Sequence, residues 1–321
     1  MGKCWIGLAA LFGLSVDSAA DDTLYVSLEK DNAIAIVDAA SRALVKTVEV
    51  GQRPRGIALS PDGENLYVAV SDDDTILEMD PNDFSVKARL PSGEDPETFV
   101  LGSAGEKLFA ANEDDNLVTV IDLATREVLK RIPVGVEPEG LAASPDGKWI
   151  VCTSETTNMA HWIDPQTLEV VANTLVDPRP RAAAFSPDSS RLWVTSEIGG
   201  AVSVIDVETK QIVKKITFEI PGLSAEQIQP VGVVIDPQRP HAYVALGPAN
   251  RVAVVDVASF EVKKYLLVGQ RVWNLAFSSD RKRLYTTNGV SNDISMIDLE
   301  ALTVVKSLLV GRYPWGVAVK P

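Results

Sequence analysis

From Leu24 onward, apolar residues come in runs of four to six, each closed by Gly, Pro, Asp, Asn or Ser. In one copy of the pattern Arg55 to Ser60 is largely apolar and ends in the turn Ser60-Pro61-Asp62-Gly63. Asn65 to Val70 and Thr75 to Asp80 then alternate, and Val86 to Leu90 closes the unit. Runs this short, separated by turn formers, predict strands. No useful length of helical periodicity intervenes, so the strands are expected to follow one another as antiparallel meanders.

One residue counts the copies. An apolar residue followed by Asp recurs at Asp38, Asp80, Asp122, Asp164, Asp206, Asp256 and Asp298, with separations of 42, 42, 42, 42, 50 and 42. A four-stranded unit of roughly 40 to 45 residues repeated around a ring is the signature of a β-propeller. The count reaches seven only if the ends join. Leu24 to Leu28 reads as a second strand with no first, and Gly316 to Lys320 as a first strand with no second. The predicted fold is therefore all-β: a seven-bladed propeller of four-stranded antiparallel blades, closed by the C-terminal strand completing the N-terminal blade. Closure removes the open inner edge such a ring would otherwise expose. The repeated Asp precedes turns such as Asp80-Pro81-Asn82 and Asp164-Pro165-Gln166, where a carboxylate caps backbone N–H groups. Seven of them spread around seven blades cannot form one site.

Composition agrees with a packed domain and narrows the partners. The 321 residues are 46% hydrophobic and 23% charged. A net charge of −14 opposes nucleic-acid binding, which draws on Lys and Arg to displace counterions. Residues 1–20 differ from the rest: Lys3, an apolar run from Cys4 to Leu14, and the small residues Ser18-Ala19-Ala20 read as an export signal. The run is too short to span a bilayer as a helix, which needs about twenty apolar residues. The expected layout is a signal peptide over 1–20, a propeller over 21–321, a periplasmic location, no membrane span and a monomer. Cleavage would leave Cys152 alone, in the apolar setting of a small core residue.

The repeats resemble the YVTN family of β-propellers. The second strands Leu24-Tyr25-Val26-Ser27, Leu66-Tyr67-Val68-Ala69, Leu192-Trp193-Val194-Thr195 and Leu284-Tyr285-Thr286-Thr287 carry the likeness. So do the linkers Val50-Gly51-Gln52-Arg53-Pro54-Arg55-Gly56, Val134-Gly135-Val136-Glu137-Pro138-Glu139-Gly140 and Val310-Gly311-Arg312-Tyr313-Pro314-Trp315-Gly316. In length, leader, inserted linker and the ending Pro314-Trp315-Gly316-Val317, the chain is similar to periplasmic propellers associated with PQQ-dependent catabolism. That resemblance implies a setting beside quinoprotein alcohol oxidation, with a quinoprotein dehydrogenase or its cytochrome as the implied partner. It implies no catalytic residue and no cofactor of the chain's own.

The linkers entering the innermost strands line one mouth of a propeller's channel, so the residue before each first strand forms a ring. In blade order it reads Arg55, Glu97, Glu139, Arg181, Val231, Trp273 and Trp315. One account pairs Arg55 with Glu97 and Arg181 with Glu139 and lets the tryptophans fill the channel. The other makes Arg55, Glu97, Glu139, Arg181, Trp273 and Trp315 a binding site, with aromatic faces and a guanidinium holding a planar or apolar group. Loops between second and third strands open on the same face and are acidic, including Glu29, Glu113, Glu155 and Glu197; they are expected to be solvated. The period of 50 adds eight residues within 218–230, where Ser224-Ala225-Glu226-Gln227 reads as a capping box opening one helical turn over the mouth.

The sequence holds two histidines, His161 and His241, which fall in different blades, so no histidine cluster can hold a metal. Cys-x-x-Cys-His, Gly-rich phosphate loops and Gly-x-Ser-x-Gly are all missing. The expectation is a binding protein and not an enzyme. Two alternatives stand beside it: a lactonase-like hydrolase using Glu97 and Glu139, whose pKa values the flanking arginines should lower, and a d1-haem or quinone handling protein stacking its ligand on Trp273 and Trp315.

Overall fold

The computed structural model describes residues 22–102 and 105–321. The expected signal peptide lies outside the described residues. Among those residues no helix is long and apolar enough to cross a membrane.

Seven four-stranded antiparallel sheets make seven blades. In the second blade the strands are Pro54–Leu59, Leu66–Val70, Thr75–Met79 and Val86–Pro91, within a residue or two of the runs visible in the sequence. First strands of neighbouring blades pack side by side around the axis. The first blade takes its innermost strand from the other end of the chain: Pro314–Lys320 pairs with Thr23–Leu28, with Leu24 opposite Val319 and Val26 opposite Val317.

The core is divided among the seams between blades, and seven hydrophobic clusters occupy them. Tyr25, Ile34 and Ile36 of the first blade meet Leu66, Val68 and Leu77 of the second, and the same geometry recurs around the ring. This corrects one expectation. Second and third strands do not alternate between core and solvent: Leu66–Val70 and Thr75–Met79 are buried along their whole length. Each blade is covered on both faces by its neighbours, and a sheet covered on both faces has no solvent side to encode. The outermost strands do meet water; Ala43–Glu49 is exposed almost throughout.

The seven aspartates cap turns. Asp38 Oδ1 accepts from Ser41 N at 2.7 Å, Asp80 from Asn82 N at 2.8 Å, Asp164 from Gln166 N at 2.7 Å and Asp298 from Ala301 N at 2.8 Å. Asp122, Asp206 and Asp256 do the same. Backbone donors favour the charged carboxylate, so Asp38, Asp80, Asp122, Asp206 and Asp256 sit below their usual pKa.

The inserted linker holds a single 3-10 turn, Ala225–Gln227, with Ser224 N donating to Gln227 Oε1 at 3.0 Å. None of residues 218–230 lines the cavity between the first strands. Phe218, Ile220 and Ile228 are buried in the seam between the fifth and sixth blades and tie the insertion there. The channel wall begins after it, at Val231.

Candidate functional site at the channel mouth

Six of the seven first strands begin with a local irregularity; that of the sixth blade, Val233–Ile235, pairs without one. Pairing with the second strand shifts register between Pro54 and Ile57, Pro138 and Leu141, Pro180 and Ala183, and Val272 and Leu275, so the ring residue and its successor bulge from the ladder. A bulge frees backbone groups that need partners. The last residue of the Leu-Tyr-Val-Thr pattern supplies them. Thr287 Oγ1 accepts from Asn274 N at 3.1 Å and donates to Trp315 O of the next blade at 2.6 Å. Ser27, Thr153 and Thr195 bridge in the same way to Arg55 O, Arg181 O and Val231 O. The conformation of the ring is thus fixed by hydroxyls one strand outward. The glycine after the ring residue lets the blades approach: at Gly316 a Cβ would stand 2.7 Å from Arg55 O, and at Gly140 one would overlap Arg181 O.

The linkers, six of them with these bulges, bring the predicted ring positions to one end of the channel. Arg55 pairs with Glu97, whose other oxygen takes Arg53 Nη2 at 2.8 Å; Arg53 also holds Asp95 at 2.7 and 2.9 Å. Arg181 Nη2 meets Glu139 Oε1 at 2.9 Å, and its Nη1 meets Glu155. Glu155 also receives Arg179 at 2.9 Å, and Glu197 joins Arg179 at 3.1 Å to Arg271 at 2.8 Å. The two expected pairs are present, but as parts of longer chains of charge. Glu155 and Glu197 are buried, contrary to the expectation of solvated loops, because the linker arginines on the same face reach back over them. They occupy one equivalent position, immediately after the second strand, where Glu29 and Glu113 also stand. That alignment was available in the sequence as a second acidic ring.

A second correction concerns acidity. Glu97 is fully buried, and desolvation together with the nearby Glu139 raises its pKa well above the carboxylate range in spite of Arg55 and Arg53. Burial likewise raises Glu113, and it pushes Glu155 up to about 7. Asp95, Glu97 and Glu113 bring one carboxylate oxygen each within 4.8 Å of one another. Arg53 and Arg55 already neutralise two of these three, so the trio reads as part of the ion-pair chain.

The tryptophans form one wall. Arg271 lies over the Trp273 ring at 4.5 Å and Arg181 at 5.6 Å, while Arg55 lies 5.6 Å from the Trp315 ring. Between the first strands is a cavity of about 220 Å³ whose walls include Glu139, Arg181, Val231, Trp273 and Trp315. Glu97 and Arg55 stand outside its lining. Three buried polar atoms at this mouth have no hydrogen-bond partner among the described residues: Glu139 Oε2, Trp315 Nε1 and Arg55 Nε.

His161 is structural. Gly135 N donates to its Nε2 at 2.9 Å, so its proton sits on Nδ1, 2.6 Å from Asn173 Oδ1, and burial holds its pKa below the usual value. Cys152 is buried, and burial raises its thiol pKa.

The fold has counterparts among solved structures. Kuenenia stuttgartiensis hydrazine synthase aligns at a TM-score of 0.79 and 21% identity, over 86% of this chain and 92% of that one. A functionally unknown protein from Desulfotomaculum acetoxidans DSM 771 aligns at 0.78 and 14%, over 92% and 98%. At such identities the likeness is one of fold. No curated protein matches the sequence. The sequence profile of the choice-of-anchor I domain matches residues 112–308, from the third blade to the seventh, and the chain belongs to that family.

Proposed function

We propose that this chain is an exported accessory propeller that binds a partner protein or small ligand at the channel mouth and performs no chemistry itself. The observation that carries this reading is the cavity with Glu139 Oε2 and Trp315 Nε1 left unpaired at its edge. Buried polar atoms without partners are costly, on the order of 1–3 kcal/mol each, and a bound group that pairs them recovers that cost. The YVTN-type repeats and the leader-like residues 1–20 support a periplasmic setting beside PQQ-dependent alcohol oxidation.

The hydrolytic alternative is weaker. Glu97 has both oxygens engaged by arginines and lies outside the cavity lining, so it has no route to a substrate there. A macrocycle is also disfavoured, since about 220 Å³ falls below the roughly 300–1,000 Å³ of drug-sized sites.

The test is affinity capture from periplasmic extract with the wild-type chain, Trp273→Ala and Trp315→Ala, each checked by circular dichroism. A specific protein captured by the wild type and lost with either variant is expected. Identical capture by all three would remove the channel mouth as the interface.

A further inference from the structure

The cavity at the channel mouth is lopsided in what it leaves unsatisfied. Every guanidinium around it holds a carboxylate: Arg181 holds Glu139 and Glu155, Arg179 holds Glu155 and Glu197, Arg271 holds Glu197 with Gln229 at 3.1 Å, and Arg53 and Arg55 hold Glu97. The unpaired Arg55 Nε belongs to a residue outside the cavity lining. An anion entering here would have to break one of these pairs. The acids are not all used. Glu139, only 3% exposed, gives one oxygen to Arg181 and presents the other without a partner. Two indoles share the wall, and aromatic faces add attraction for positive charge. Trp315, 6% exposed, leaves its N–H unpaired and so asks for an acceptor.

We propose that this cavity takes a small organic cation, its ammonium group donating to Glu139 Oε2 and a hydroxyl or carbonyl at its other end accepting from Trp315 Nε1. The inference rests on the channel mouth being a binding site and adds the charge and polarity of what binds. Glu139 and Trp315 both line the cavity, one on the fourth blade and the other on the first, and their unpaired atoms are buried behind its surface, so the ligand's two polar ends are read from different sides of the channel once it seats against them. A group with only one polar end would satisfy one of them and leave the other buried and unpaired.

Matched molecules test it. Aminobutanol, butanediol and hydroxybutyrate have similar shape and differ in charge at one end; each is titrated calorimetrically into the full chain. Aminobutanol is expected to bind at least about tenfold more tightly than butanediol, and hydroxybutyrate more weakly than either. Glu139→Gln should erase the preference, Glu139→Asp should keep it, and Trp315→Phe should weaken aminobutanol binding by about threefold to tenfold. Arg181 retains Glu155 in the Gln variant, and the aspartate variant carries the test if the Gln variant fails to fold. Equal binding of all three molecules, preference for the anion, no binding at all, or a preference untouched in Glu139→Gln would each overturn the proposal. Equal binding that disappears in Trp315→Ala would do so while leaving the channel mouth as a site. Trp315-dependent capture of a protein with no response to any of the three molecules would do the same.

Discussion

Thr287 shows how one side chain joins fold and site. Its hydroxyl accepts from Asn274 N in its own blade and donates to Trp315 O in the next, and it is fully buried. Replacing it by valine preserves shape and orphans Asn274 N, while Trp315 O keeps Asn274 Nδ2 at 2.9 Å. Thr287→Val should cost about 2 kcal/mol in urea unfolding, more than the roughly 0.5 kcal/mol expected of Thr303→Val on an exposed outer strand. Equal losses would mean that the bridge adds nothing. The residue is visible in the sequence as the end of a Leu-Tyr-Thr-Thr run, but its two partners are not, because they depend on a bulge. Glu155 gives a pH signature. Its pKa near 7 in the folded chain exceeds the carboxyl value of an unfolded one, so the native state holds the proton more tightly. The contribution of Glu155 to native stability therefore falls as pH rises from about 4.5 to 7 and levels off above. Glu155→Gln, neutral throughout, should gain on the wild type in urea midpoint between pH 5 and pH 8. His161 titrates in the opposite sense in both chains and cancels in the difference. A gap constant over that range would contradict the assignment.

At the scale of strands and turns, legibility follows from what each element must encode. The four strands of a blade are bounded by turn formers, so their ends could be read within a residue or two, as Thr75–Met79 and Val86–Pro91 show. What was misread is the facing of second and third strands, since burial on both sides leaves an apolar run with no period to reveal it. The turns between third and fourth strands hid a further device. Each reaches a residue of left-handed conformation, among them Phe84, Arg126, Lys210 and Phe260. These side chains reach the preceding blade: Phe84 packs edge-on to Tyr25, Arg126 donates to Glu78 Oε2 at 2.8 Å, Lys210 lies 4.0 Å over Trp149, and Phe260 meets Trp193. Aromatic, cationic and aliphatic residues serve at one position because the demand is only to cover a seam. That chemical variety is why no motif advertises it. The ring at the channel mouth was legible for the opposite reason, as equivalent positions in a fixed linker. Its second acidic layer was missed because Glu155 and Glu197 looked like loop residues until arginines from the linkers closed over them.

For the whole molecule the decisive contact joins the ends of the chain. Six blades are continuous in sequence; the first depends on Pro314–Lys320 arriving nearly three hundred residues after its partner strand. That strand contributes to two seams, through Val317 and Val319 toward the seventh blade and Ala318 toward the second, and it carries Trp315 into the channel wall. Removing residues 314–321 would expose the apolar face of Leu24, Val26 and Leu28 and free the inner edge of the first blade. Blades in a ring share their seams, so the loss is not local. The truncated chain should lose on the order of 5 kcal/mol or more, a large part of the ~5–15 kcal/mol typical of a domain, and its unfolding should broaden as first and seventh blades open before the rest. A synthetic peptide of residues 314–321 added to the truncated chain should restore the midpoint in proportion to its concentration, as mass action requires of a segment that binds only the folded ring. A truncated chain with an unchanged urea midpoint would show that the ring holds without its latch.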